Sequence, residues 1–232
     1  MTTDPIFINS CTISNTGSSC FEKLTPEELA MFEENQIKVT FKKGEVICKQ
    51  GTIAPHVIFL TKGLVKAYVE GCTDNLVLKI ISSSKFVSLS SLNDGSNTFL
   101  YSSQAYVDSE ANLIDINVFR KVMKQNAEFA TELFNVQSAN KSQIYGRFFC
   151  MTKKQSFGKL ADILLCLCDN VFENSAFELS LSRREIAELS GMTQESVVRI
   201  LKKFKSENLI TSEGKLIKIL DYEKLQQISL LG

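Results

Sequence analysis

Leu181-Ser182-Arg183-Arg184-Glu185-Ile186-Ala187-Glu188-Leu189-Ser190-Gly191-Met192-Thr193-Gln194-Glu195-Ser196-Val197-Val198-Arg199-Ile200-Leu201 contains two helix starts separated by a single glycine. Ser182 with Glu185 three residues on is a capping box. The hydroxyl takes an orphan backbone N–H, and the carboxylate reaches back to the cap. Ile186, Ala187 and Leu189 give this helix an apolar face. Gly191 suits the left-handed residue needed where two crossing helices meet, and Thr193 caps the next helix. There Val197, Ile200, Leu201 and Phe204 fall at i, i+3, i+4 and i+7, a stripe that predicts burial. The other face carries Gln194, Glu195, Val198, Arg199, Lys202 and Lys203. Arg, Glu and Gln are side chains that read guanine, the cytosine amino group and adenine, and lysines suit phosphates. Alone, the helix is equally well an amphipathic helix with a solvated face. The residues that follow, Leu209-Ile210, a Glu213-Gly214 turn and 216–220, predict a hairpin and complete a winged helix-turn-helix.

Upstream, the period is helical from about 118 to 168. Asn126 is placed to cap a long helix starting at Ala127. In it Phe129, Leu133, Val136, Ile144 and Met151 recur at spacings of threes and fours. This helix exceeds what a small β-domain needs for cover, which favours pairing with a twin in a dimer, with Asn140 near the stripe to set register. Covering the β-domain is the plainer reading. A second helix is predicted over about 155–169. From 36 to 117, short β-rich runs at 37–41, 46–48, 57–61, 64–70, 76–81, 99–107 and 111–116 alternate with turn residues. Glycines at 44, 51, 63 and 71 lie between or beside them. Such runs read as an all-β sandwich or barrel and are too closely spaced for βαβ units. Thr25-Pro26-Glu27-Glu28 marks a short helix running to about Glu34. Residues 1–20, rich in Ser, Thr and Asn, read as an arm.

The 232 residues carry 26 Lys and Arg against 26 Asp and Glu, so a nucleic-acid-binding face has to be local. No apolar run is long enough to span a membrane and no signal-peptide pattern opens the chain, which leads to the expectation of a cytoplasmic protein without a membrane partner. The odd count of seven cysteines argues against a disulfide framework, and in a reducing compartment most are expected as free thiols. There is no GxSxG, HExxH or P-loop, and His56 is the one histidine. An enzyme is therefore not expected, nor is a metal or other cofactor.

The chain resembles the Crp/Fnr family of regulators over about 21–228. The resemblance rests on Phe41-Lys42-Lys43-Gly44-Glu45, Lys49-Gln50-Gly51, Phe59-Leu60-Thr61-Lys62-Gly63 and, above all, the helix-turn-helix quoted above. It implies an α+β chain: a flexible arm over 1–20, then a cyclic-nucleotide-binding-like double-stranded β-roll (jelly-roll-like) over 21–125. A dimerisation helix follows over 126–152, and a winged helix-turn-helix over 153–232. It further implies a homodimer on palindromic double-stranded DNA, with RNA polymerase as a candidate partner. Glu195 and Arg199 match the family's main base-reading positions, and Gln194 and Val198 the variable ones. Ser182, Arg183, Thr193, Lys202 and Lys203 are expected near the backbone.

The cyclic-AMP-binding branch holds the cyclic phosphate with an arginine and a Gly-Glu pair. Here the corresponding stretches read Phe86-Val87-Ser88-Leu89-Ser90-Ser91 and Tyr101-Ser102-Ser103-Gln104-Ala105, and no arginine precedes Arg120. A phosphate buried without a bidentate partner is costly, so cyclic AMP is not expected. Lys66, Lys79 and Lys85 are expected to face outward as strand-edge residues. An effector pocket, if the roll has one, is expected around Ser88, Leu89, Ser102 and Ser103. Two alternatives stand beside this reading. One is a redox or iron–sulfur sensor of the same architecture, which needs Cys11 and Cys20 to recruit thiols from elsewhere. The other is a ligand-binding or protein-interaction module whose helix-turn-helix no longer reads DNA.

Overall fold

The computed structural model describes residues 19–92 and 97–232. Most of the arm expected over 1–20, Cys11 included, lies outside the described residues. The chain divides into two compact units, one ending at Asn140 and the other comprising Lys141–Gly232.

In the first unit, helix α1 (Pro26–Glu34) starts at Thr25, whose hydroxyl accepts from the Glu28 N–H at 3.2 Å. The Glu28 carboxylate returns to the Thr25 N–H at 2.9 Å, so a capping box closes where the sequence suggested only a cap. Strands β1 (Gln36–Phe41), β2 (Val46–Cys48), β3 (His56–Lys62), β4 (Leu64–Val69), β5 (Leu76–Ser82), β6 (Lys85–Phe86), β7 (Ser102–Ala105) and β8 (Ser109–Asp115) follow. They form two antiparallel sheets in the orders β1-β8-β3-β6 and β2-β7-β4-β5, the expected β-roll. Helix α2 (Ile116–Gln125) and the first half of α3 (Ala127–Lys153) close the unit.

Alternation along β3 builds two cores. Ile58 and Leu60 turn inward, into a cluster shared with Val65 and Ala67 of β4, Ile81 of β5, Ala105 of β7 and Ala111 of β8. Val57 and Phe59 turn outward, onto Phe32 of α1, Phe119 and Val122 of α2, and Phe129, Leu133 and Val136 of α3. Aromatic rings dominate this second cluster. Phe32 and Phe119 stack at 5.2 Å, and Phe119 meets Phe129 at 5.5 Å and Phe86 at 5.8 Å. Each such pair adds roughly 0.5–1.5 kcal/mol beyond its burial. Cys20, read from the sequence as the end of the arm, is fully buried in the same cluster. Asn126 does cap α3, its Oδ1 accepting from the Phe129 N–H at 2.9 Å. The helical stripe expected to run through α3 is divided: Phe129, Leu133 and Val136 face the roll, whereas Ile144 is exposed.

In the second unit, α4 (Ser156–Leu167) is largely apolar, with Leu160, Ala161, Ile163, Leu164 and Leu167 buried, as suits a central helix. Around it lie β9 (Ala176–Glu178), α5 (Arg183–Ser190), α6 (Gln194–Ser206), β10 (Ile210–Glu213), β11 (Leu216–Ile219) and α7 (Tyr222–Leu231). The hairpin β10–β11 gains β9 as a third strand, in the order β10-β11-β9. The Lys154 ammonium bonds Asp162 of α4 at 2.7 Å and Ser229 of α7 at 3.0 Å, and Ser229 donates to Asp162 at 2.9 Å. The ion pair is largely buried, with its side chains 8% and 11% exposed. Removing one partner of such a pair leaves an uncompensated charge, a loss of about 3–5 kcal/mol. Asp162→Ala is therefore expected to lower unfolding stability by that order in urea titrations, and Ser229→Ala by less.

Candidate nucleic-acid interface

The helix-turn-helix is set by three local devices. Ser182 caps α5, its Oγ accepting from the Glu185 N–H at 3.2 Å, while Glu185 Oε2 accepts from the Ser182 N–H at 2.6 Å. Gly191 ends α5 in the left-handed region at φ 61°, which a side chain adopts only at a cost. Thr193 then caps α6, its Oγ1 accepting from the Ser196 N–H at 3.2 Å. Val197, Ile200, Leu201 and Phe204 are buried, as their spacing predicts.

Burying that stripe turns Gln194, Glu195, Arg199, Lys202 and Lys203 to the surface, with Val198 half-buried beside them. Lys203 pairs with Glu207 at 2.9 Å along the helix. Ser182 and Thr193 are exposed, at the N-termini of α5 and α6, where free N–H groups favour an anion. Arg183 is half-buried, and desolvation draws its pKa down without discharging a guanidinium. The wing turns at Gly214 and Lys215, with Gly214 at φ 59°, and Lys205 of α6 donates to the Ser212 carbonyl at 3.2 Å. Lys215 and Lys218 are exposed on the wing. They were not singled out in the sequence, although a lysine following the turn glycine was a readable signal.

Three of the four residues expected around an effector in the roll make hydrogen bonds within it. The Ser88 hydroxyl accepts from the Ile58 N–H at 2.9 Å. Ser102 Oγ accepts from the Gln50 N–H at 2.8 Å and donates to Glu70 at 2.6 Å. Ser103 Oγ lies 3.1 Å from the Cys48 sulfur. Leu89 belongs to the cluster facing the helices, not to the one between the sheets. Tyr101 packs against that inner cluster and donates to the Val87 carbonyl.

The lysine expectation is overturned for two of three residues. Lys66 and Lys79 are buried, at 7% and 6% exposure, because neighbouring groups cover their strands. The Lys66 ammonium lies 5.3 Å from the Tyr68 ring centroid and 5.6 Å from that of Tyr106. Lys79 reaches Asn140 of α3 at 3.2 Å. Asn140, expected near a dimer register, is thus engaged by the roll of its own chain. Lys85 is half-buried and donates to Ser82 at 2.9 Å. Among the described cysteines, Cys20, Cys48, Cys72, Cys150 and Cys168 are free. Burial pushes the Cys20 thiol up to about 12 and Cys150 to about 11, so both hold their protons rather than offer thiolates. No group of three or more His, Cys, Asp or Glu among the described residues is arranged to hold a metal ion. No helix among them is long and apolar enough to cross a membrane.

Two family models match the chain: a Crp-like helix-turn-helix domain over residues 158–228 and a cyclic nucleotide-binding domain over 38–126. The transcriptional activator protein anr of Pseudomonas aeruginosa is 25% identical over 185 residues, covering 78% of this chain and 75% of that protein. The global nitrogen regulator of a Nostoc species is 25% identical over 186 residues, covering 78% and 83%. Among solved structures, that of FixK2 from Bradyrhizobium japonicum shares the fold. It superposes with a TM-score of 0.76 at 17% identity, over 83% of this chain and 96% of that one.

Burial lowers the Lys79 pKa from 10.5 to about 8, with Lys85 adding repulsion. Between those values the unfolded chain holds a proton that the folded chain has lost, so this group makes stability rise with pH. Below about pH 8 both states are protonated and the slope vanishes. Unfolding free energies of the protein minus those of Lys79→Met, measured by urea titration from pH 7 to 10.5, are expected to climb across that window. A flat difference would refute the assignment.

Proposed function

The chain belongs to the Crp/Fnr family of transcription regulators, not to a class of enzymes, and from this we propose that it reads two-fold symmetric DNA as a homodimer without control by cyclic AMP. The carrying observation is α6 itself. Four apolar side chains anchor one face, and Glu195 and Arg199, one turn apart, stand exposed on the other with Gln194. In this reading Arg199 takes a guanine edge, Glu195 a cytosine amino group, and Gln194 and Val198 tune the half-site. Ser182, Arg183, Thr193, Lys202 and Lys203 position the helix against phosphates.

Dimer formation is supported by α3. Phe134, Tyr145 and Phe148 recur on one helical face and are 69%, 69% and 70% exposed. That face lies away from Phe129, Leu133 and Val136, and an aromatic row of this kind is what a second copy of the helix would cover. Pairing then places two recognition helices for half-sites about one DNA turn apart. Such a dimer acts in the cytoplasm, at promoters served by RNA polymerase.

Independence from cyclic AMP is supported by three features of the roll. No arginine precedes Arg120 in the sequence. The Ser88, Ser102 and Ser103 hydroxyls are engaged within the protein. The buried lysines are engaged as well, Lys79 by Asn140 and Lys66 by two tyrosine rings.

Selection of bound duplexes from random DNA, with purified protein and no added ligand, is expected to enrich a symmetric site. Arg199→Ala should then lose about 1–3 kcal/mol at one guanine position and relax preference there. Unchanged binding by that variant would remove α6 as the reading element. Calorimetric titration with cyclic AMP is expected to show no binding at micromolar concentrations, and a micromolar affinity would refute that part of the proposal.

A further inference from the structure

Every α-helix ends with carbonyls that have no partner inside it, and the last turn of α5 satisfies its own in two ways. The Ala187 carbonyl accepts from the Met192 N–H at 3.0 Å and the Glu188 carbonyl from the Gly191 N–H at 3.4 Å, both supplied by the turn. The Leu189 carbonyl instead accepts from the Arg147 guanidinium. Arg147 lies in the second half of α3, is 4% exposed, and belongs to the same compact unit as α5 and α6. One turn further along α3, Met151 packs against Gly191 so closely that a Cβ there would overlap its methyl group. Residues four apart share a helix face. At about 100° per residue, Arg147 lies roughly 100–160° around the helix from Phe148 and Tyr145, with Met151 between them.

We propose that Arg147, backed by Met151, is a positioning residue for DNA reading: it locks the turn of the helix-turn-helix onto the second half of α3, and so sets the spacing at which two recognition helices meet DNA. The inference rests on the dimeric DNA reading proposed above. A cation at the negative end of a helix, bonded to a free carbonyl away from water, makes a strong and directional contact. Only Gly191, Met192 and Thr193 separate that end from α6, so holding the Leu189 carbonyl holds the start of the recognition helix. The helix-turn-helix keeps its own core, with Ile186, Leu189, Val197, Ile200 and Phe204 buried. Loss of Arg147 is therefore expected to loosen the docking of the reading head rather than dissolve it.

The test uses the full chain and symmetric duplexes carrying the selected half-sites, with the separation stepped one base pair at a time around one DNA turn, together with a single half-site. The wild type is expected to prefer one spacing, and Arg147→Met to lose that preference on the order of tenfold. Its affinity and base preference on the single half-site should stay unchanged. Arg147→Lys, which keeps a cation but not the planar fork, should recover part of the preference. Met151→Ala should weaken it with the arginine in place, and carries the measurement if Arg147→Met does not fold. A variant with the wild-type ratio between spacings, or one that loses affinity equally at every spacing and on the half-site, would overturn the inference. A wild type indifferent to spacing would instead overturn the dimeric reading beneath it.

Discussion

Gly191 sits in the left-handed region so that α5 and α6 can cross with three intervening residues and no strand between them. The rest of the helix-turn-helix depends on that crossing. With the chain turned there, Thr193 falls where it can cap α6, and the stripe from Val197 to Phe204 meets the buried face of α5 and the largely apolar α4. Burying the stripe in turn leaves Glu195 and Arg199 no place but the surface. A residue with a Cβ at 191 meets two obstacles, the strain of its own backbone and the methyl of Met151. One position thus carries a local constraint and a tertiary one.

In the roll, the corresponding constraint is the two-residue period of β3. Both of its faces are apolar, so β3 lies between two layers of packing: the opposite sheet on one side, α1, α2 and α3 on the other. The aromatic cluster around Phe119 is the meeting point of the second layer. It also explains why the apolar stripe of α3 divides. The first turns of the helix cover β3, and further along the chain Arg147 and Met151 meet the helix-turn-helix.

The buried lysines show how far a strand can be read in isolation. Lys66 and Lys79 look like solvent-facing residues of a half-exposed sheet, because charge at alternate positions usually marks the wet face. Their burial follows from groups far away in sequence: Tyr106 lies beyond β7, and Asn140 is in α3. The serines of the roll follow the same rule. Their hydroxyls are used by backbone and side-chain groups of other strands.

What the sequence by itself determined are the features whose causes are local. The capping box at Ser182, the glycine turn, the cap at Thr193 and the i, i+3, i+4, i+7 stripe of α6 each lie within about two helical turns. They could be read without knowing what packs against them. The longer strands of the roll were legible for the same reason, through alternation and the turn residues between them. What only the tertiary structure decided are features whose causes are pairings between distant segments. Short β6 and β9 are strands because Phe59 and Ile217 pair with Phe86 and Phe177, and two or three residues carry no period of their own. The burial of Lys79, the engagement of Asn140 and the grip of Arg147 on Leu189 belong to the same class. A long polar side chain finds its partner by reach through space, and its neighbours in sequence carry no record of that partner.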